Sequence, residues 1–159
     1  MTAIPGDTLQ KQIERGEVFY TAGGETAISA SGEYIYLIST GSKETTLFFN
    51  ALSNMNLDLI LKSGVSTSSD GTGPISPLNM NLNSSNTLIT ELYATPTITV
   101  AGTTKISSYL PNGVDVPLNP LSLEAGIILE PDTKYTLHVL NRADNDSTFW
   151  TTMFMREVS

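Results

Sequence analysis

A chain of 159 residues with no cysteine and with 8 Lys+Arg against 16 Asp+Glu excludes disulfides, thiolate metal sites and a cysteine nucleophile. Its formal charge of -8 argues against a nucleic-acid partner, whose phosphates need basic side chains. The length suits one domain. The opening MTAIPGDTLQKQ has no basic start before an apolar run, and no apolar stretch approaches the ~20 residues of a membrane span, so neither a secretory signal nor a membrane partner is expected.

Taken in chain order, Asp7 is placed to cap a short helix, with Gln10 set for the reciprocal bond and Gly16 as the stop. Leu9 and Ile13 share one face of it. A helix this short is not stable alone, so residues 1–16 read as an N-terminal arm, with Leu9 and Ile13 as candidate contacts to a neighbouring subunit. Residues 17–159 read as a β-sandwich domain. Glu17–Tyr20, Ala27–Ala30, Glu33–Ser39, Thr45–Ala51 and Leu57–Lys62 are short, rich in β-branched or aromatic residues, and separated by corners such as Gly23-Gly24 and Ser31-Gly32. In the fifth, Leu57, Leu59 and Leu61 are expected inward and Asp58, Ile60 and Lys62 outward.

Residues 65–86 form a Ser/Thr/Gly/Asn/Pro-rich region. Within it Asn79, Asn81 and Asn83 alternate with Leu78, Met80 and Leu82, which in an extended segment gives one polar and one apolar side. VSTSSDGT at 65–72 and TITVAGT at 97–103 echo each other, too faintly for a repeat. Further strands are expected at Leu88–Ala94, Thr97–Ala101 and Thr104–Tyr109. A Pro- and Gly-marked loop through Pro111, Gly113, Pro117 and Pro120 then leads to the closing segment, Ile127 to Met155.

That closing segment reads as an antiparallel hairpin. Tyr135, Leu137 and Val139 oppose Thr136, His138 and Leu140 on its first strand, and residues 141–147 form a polar connection. The return strand puts Phe149, Thr151, Met153 and Met155 on one face and Trp150, Thr152 and Phe154 on the other. Apolar groups on both sides imply a core on one and another layer or subunit on the other. The pattern as a whole, short strands with turns every 8–12 residues, is that of an all-β, jelly-roll-like sandwich.

Signals of chemistry are sparse. His138 is the only histidine, which rules out a multi-histidine metal site and leaves a Ser-His-Asp arrangement as the main nucleophilic possibility, yet Gly-x-Ser-x-Gly does not occur. Asp144 and Asp146 offer oxygens for calcium without the twelve-residue ligand loop. No metal or cofactor is therefore expected. Tyr34, Tyr36, Tyr93, Tyr109 and Trp150 are the aromatic candidates for stacking on sugars.

Four pieces carry a family resemblance. They are Ser63-Gly64-Val65 with Asp70-Gly71-Thr72, Pro77-Leu78-Asn79-Met80-Asn81, Thr95-Pro96-Thr97 with Gly102-Thr103, and Leu129-Glu130-Pro131-Asp132-Thr133-Lys134-Tyr135 leading to Val139-Leu140-Asn141. In this order and spacing the chain resembles tailed-bacteriophage virion proteins that coat the head as decoration, or cement, subunits. The resemblance implies a non-enzymatic capsid decoration protein on the outer surface of the phage head, binding the major capsid protein as a homotrimer and stabilising its lattice. Met80 and Leu82 stand where basic residues belong in that pattern, which favours an apolar contact there. With the two-sided closing strand, this gives Leu78, Met80, Leu82, Trp150 and Phe154 as contact candidates alongside Leu9 and Ile13. The alternatives are a receptor- or glycan-binding module of a tail fibre or spike and, third, a glycoside hydrolase.

Overall fold

The computed structural model describes residues 8–110, 116–117 and 126–157. Its single helix among these, α1 (Leu9–Glu14), is capped by Thr8, whose hydroxyl accepts from the Lys11 N–H at 3.3 Å. The expected cap Asp7 lies outside the described residues. Gly16 ends the helix at φ +70°, where a side chain is strained and a Cβ would sit 2.1 Å from Ser84 Oγ.

The strands are β1 (Val18–Ile28), β2 (Glu33–Ser39), β3 (Thr45–Ser53), β4 (Leu57–Ser63), β5 (Ser66–Ser69), β6 (Thr72–Ile75), β7 (Leu78–Asn79), β8 (Glu91–Ala94), β9 (Thr97–Val100), β10 (Thr103–Leu110), β11 (Val116–Pro117), β12 (Ile127–Leu129), β13 (Lys134–Asn141) and β14 (Ser147–Glu157). Sheet A runs β11–β3–β14–β1–β7, with β12 also on β3, and sheet B runs β10–β4–β13–β2–β8–β6. A separate ribbon pairs β5 with β9, the two segments whose sequences echo each other. The pairing nests: β1 pairs β14, β2 pairs β13, β3 pairs β12 and β4 pairs β10, all antiparallel.

The core lies between the sheets, where strand alternation delivers Leu47, Phe49, Phe149, Met153 and Met155 from sheet A and Ile38, Leu57, Leu59, Leu61, Leu137 and Val139 from sheet B. Aromatic rings bridge the layers, Tyr34 to Phe149 at 5.7 Å and Tyr36 to Phe49 at 6.5 Å, both edge to face. The Tyr36 hydroxyl shares a 3.3 Å hydrogen bond with Thr151, and burial raises its pKa above the ordinary tyrosine value.

Three sequence expectations are corrected. The closing hairpin is not a hairpin: β13 belongs to sheet B and β14 to sheet A, so their connection arches from one layer to the other. The arch is held by Asn141, whose amide donates to Ser29 O at 3.1 Å and Asn145 O at 2.8 Å. Asp146, offered above as a calcium ligand, accepts the Ala30 N–H at 3.0 Å. Gly23-Gly24 is not a corner. β1 runs through it, and the glycines absorb a bulge between Gly23 and Thr26. The asparagine run is extended only at Leu78–Asn79, because Asn79 and Asn81 turn their side-chain oxygens onto the N–H groups of Asn81 and Asn83 at 2.9 and 3.1 Å and bend the chain.

Within this chain the arm is held through its C-terminal end. Leu9 is 61% exposed and Ile13 half-buried, while Gln12 is the buried helix residue. What holds α1 is its C-terminal end: Asn81 donates to Glu14 O at 2.8 Å, Asn86 to Arg15 O at 2.9 Å and Asn79 to Gly16 O at 3.2 Å. These amides satisfy carbonyls that a helix end leaves open. The Pro- and Gly-marked loop lies outside the described residues, apart from β11 on the edge of β3.

Candidate contact face

Three places merit scrutiny: the His138 network, the clefts beside Glu157, and the outer surface of sheet A. His138 is buried on the outer side of sheet B, with Nδ1 3.0 Å from Glu33 Oε2 and Nε2 3.0 Å from Thr136 Oγ1. A carboxylate, an imidazole and a hydroxyl in that order have the connectivity of a nucleophilic triad. Thr136, however, is 0% exposed, so no substrate carbonyl reaches its oxygen, and the network serves to satisfy polar groups buried on the sheet. The sequence did not reveal it, since Glu33 arrives only through the pairing of β2 with β13.

Two adjoining clefts of about 320 and 310 Å³ flank the segment at 84–90 and share Phe19, Asn86 and Thr87. The buried carboxylates of the first are already engaged. Glu157 accepts from Ile89 N at 2.9 Å and Thr90 N at 2.6 Å. Glu17 receives Arg15 Nε and Nη2, both at 2.8 Å. Carboxylates bonded this way lock the segment and the arm to the sandwich. Among the described residues no group of three or more His, Asp or Glu is placed to hold a metal ion.

The outer surface of sheet A is different in kind. Because β14 buries Phe149, Thr151, Met153 and Met155, the intervening Trp150, Thr152, Phe154 and Arg156 point away from the core. Register then builds rows. Leu78 pairs with Tyr20, Tyr20 with Phe154 and Phe154 with Phe48, so four apolar side chains cross four strands at one level, roughly 14 Å from end to end at ~4.8 Å per strand. Two levels away Trp150 pairs with Leu52, each 39% exposed. On the other side Arg156 pairs with Thr46, and Thr46 with the exposed Ile128. Arg156 is the one charged residue in these rows.

The outer surface of sheet B is mixed, carrying Glu33, Asp58, Lys62, Glu91 and Lys134 beside Ile35, Ile60, Tyr93 and Tyr109. The structure thus brings Leu78, Phe154 and Trp150 onto one surface, with the exposed Met80 and Leu82 on the loop that continues from its edge. Leu9 and Ile13 lie on the arm, which the same loop holds through Asn81 and Glu14 O. Sequence reasoning missed Tyr20, Phe48, Leu52 and Ile128, which only strand register adds to the face.

The aromatic candidates for sugar stacking do not share a platform. Tyr36 is in the core, Tyr34 packs on Phe149, Tyr93 donates to Glu91 at 2.8 Å and Tyr109 pairs with Asp58 on sheet B, whereas Trp150 belongs to sheet A. Comparison with known protein families and with curated proteins finds no match to this chain.

Proposed function

We propose that this protein is a capsid decoration protein of a tailed phage, a sandwich that docks on the outer surface of the head, bridges major capsid subunits as a homotrimer and acts without catalysis. The observation that carries the reading is the pair of apolar rows outside sheet A, Leu78–Tyr20–Phe154–Phe48 and Trp150–Leu52. Two apolar rows, separated by the Ala22–Thr152–Asn50 level, offer a protein partner apolar contact with polar groups between. The family resemblance supplies the identity of that partner. The jelly-roll reading of the sandwich is supported by the nested pairing of first strand with last, second with next to last, and inward from there.

The mechanism is mass action. A subunit that binds the assembled lattice and not its dissociated parts stabilises the lattice by its binding free energy, and three linked subunits add avidity. Sheet A and the Met80/Leu82 loop are the contact surfaces in this reading, with sheet B facing solvent. Electron microscopy of purified particles carrying gold-labelled protein tests it. Label spread over the head supports decoration, and label confined to the tail overturns it in favour of a fibre or spike module.

A further inference from the structure

We infer that Arg156 is the polar anchor of the sheet A contact, taking a carboxylate that the lattice protein presents to it. The inference rests on the proposed docking of sheet A and adds the chemistry that its partner brings. It starts from an imbalance among the three arginines of the chain. Arg15 holds Glu17 at 2.8 Å and Arg142 holds Asp58 at 2.6 Å. Arg156 holds no carboxylate among the described residues, in a chain with 16 Asp+Glu against 8 Lys+Arg.

A guanidinium has five N–H donors. Here Nη2 donates to Thr46 Oγ1 at 3.3 Å, longer than the usual N–H···O range of about 2.7–3.2 Å. Nε is buried and bonds nothing, the one buried side-chain nitrogen or oxygen without a partner among the described residues. Nη1 also bonds nothing in this chain, and it is not covered as Nε is. The neighbouring Glu157 is no counter-ion, because alternation turns it to the other side of β14, where the Ile89 and Thr90 N–H groups hold it. Buried polar groups without partners are rare in native structures, and this one lies on the surface where a partner docks.

Register sets Val18 and Thr46 beside Arg156, with Phe154 and Phe48 at the next level and the exposed Ile128 beyond Thr46. Arg156 is itself partly exposed, so a partner that covers the apolar rows strips it of the water it still has. A guanidinium desolvated without a counter-charge opposes association, whereas a carboxylate bonded to Nη1 and Nη2 neutralises a charge delocalised over the whole group, Nε included. A second copy of this chain is the poorer source of that carboxylate, since two chains of charge -8 repel each other. The occupant is a lattice protein with an Asp or Glu side chain set within its own apolar contact patch.

The test compares wild type, Arg156→Met, Arg156→Lys and Trp150→Glu for binding to purified particles prepared without the protein. Arg156→Met keeps an apolar stem and leaves the facing carboxylate unpaired, so binding should fall by about 30-fold or more. Arg156→Lys keeps the charge without the planar fork and should recover part of the loss. The urea midpoint of free Arg156→Met protein should not fall, because the substitution removes a buried nitrogen that has no partner. Binding unchanged in Arg156→Met but weakened in Trp150→Glu overturns the anchor and leaves the docking of sheet A standing; binding unchanged in both overturns the docking as well. A midpoint that falls in Arg156→Met makes Arg156 a residue of the fold and overturns the inference. So does a changed oligomeric state of the free variant, which makes a second copy the source of the carboxylate. An electron-microscopic reconstruction of the decorated particle checks the contact without any variant: a carboxylate oxygen of the lattice protein within about 3.2 Å of Arg156 Nη1 or Nη2 is expected, and its absence overturns the proposal.

Discussion

Tyr20 and Phe154 pack together on the outside of sheet A, ring centroids 5.0 Å apart and planes inclined by 42°. An aromatic pair of this kind adds stabilisation beyond its buried area, and here it sits on the surface away from the core, flanked by Leu78 and Phe48. Single substitutions at the rim of this surface should separate association from folding. Trp150→Glu and Leu78→Glu are each expected to weaken self-association or particle binding by about 2 kcal/mol, roughly 30-fold, while changing the stability of the isolated domain by about 0.5 kcal/mol or less. Replacing both Met80 and Leu82 by Asp should act in the same direction. Light scattering reads the oligomer and urea titration reads the fold. Association unchanged in all three variants places the contact elsewhere.

Glu157 is expected to be a stability residue. Its carboxylate is 4% exposed and accepts the Ile89 and Thr90 N–H groups, and Thr90 in turn shares a 2.7 Å hydroxyl bond with Thr45. Glu157→Ala leaves those donors without an acceptor, at a cost of about 2–4 kcal/mol. Glu157→Gln keeps one side-chain acceptor and should cost less. A chemical-denaturation midpoint unmoved by Glu157→Ala would contradict the lock described here.

His138→Ala should leave particle binding intact and lower stability by about 1–2 kcal/mol, since the buried Thr136 hydroxyl and the Glu33 carboxylate lose their common partner. Loss of a hydrolytic activity with the fold preserved, measured by circular dichroism beside an esterase assay, would instead give the Thr136–His138–Glu33 order a chemical role.

The Asp70–Lys134 pair sets a pH limit on the ribbon. The Lys134 ammonium, bonded directly to it, and then the Thr67 hydroxyl hold the Asp70 carboxyl below its ordinary value. A carboxylate depressed in the folded state contributes above its unfolded pKa, about 3.9, and the contribution is lost as pH falls through the folded value. The ribbon tie should therefore be constant from neutral pH down to about 4 and release below it. Carboxyl-carbon NMR titration should give Asp70 a midpoint under 3.8, the unperturbed value. Asp70→Asn should abolish the acid-dependent shifts of Thr67 and Lys134. An Asp70 midpoint above 3.8 would show that the pair does not persist in solution.

How much of this was legible in the sequence depends on whether a feature is local. β2 matches its expected span, and β4 places Leu57, Leu59 and Leu61 in the core as its alternation requires. Alternation says which side of a strand is buried and is silent on which sheet the strand joins, so β13 and β14 looked like a hairpin although they face each other across the core. For the same reason Trp150 and Phe154 were recognisable as outward apolar groups, whereas Tyr20, Phe48 and Leu52 join them only through pairings between residues distant in sequence. The asparagine run shows a competition between two local signals. Its period of two separated polar from apolar side chains, and its side-chain oxygens then bent the backbone out of the strand.

The arm supplies the last prediction. Among the described residues, 8–15 contribute no member of the main core cluster, so deleting residues 1–15 should leave the sandwich folded. The deletion nonetheless removes Glu14 O and Arg15 O from Asn81 and Asn86, and removes Arg15 from Glu17, whose side chain is 6% exposed. A buried carboxylate stripped of its partner costs more than a lost surface pair; because Arg15 is itself partly exposed, about 2–4 kcal/mol is expected for the deletion. Arg15→Ala should account for about 1–3 kcal/mol of this, and Leu9→Ala for less than about 0.5 kcal/mol. Urea titration of the three proteins distinguishes the cases. If Leu9→Ala costs as much as Arg15→Ala, the helix is held by apolar docking; if Arg15→Ala and the deletion are both neutral, the asparagine clasp and the Glu17 pair contribute nothing to the fold.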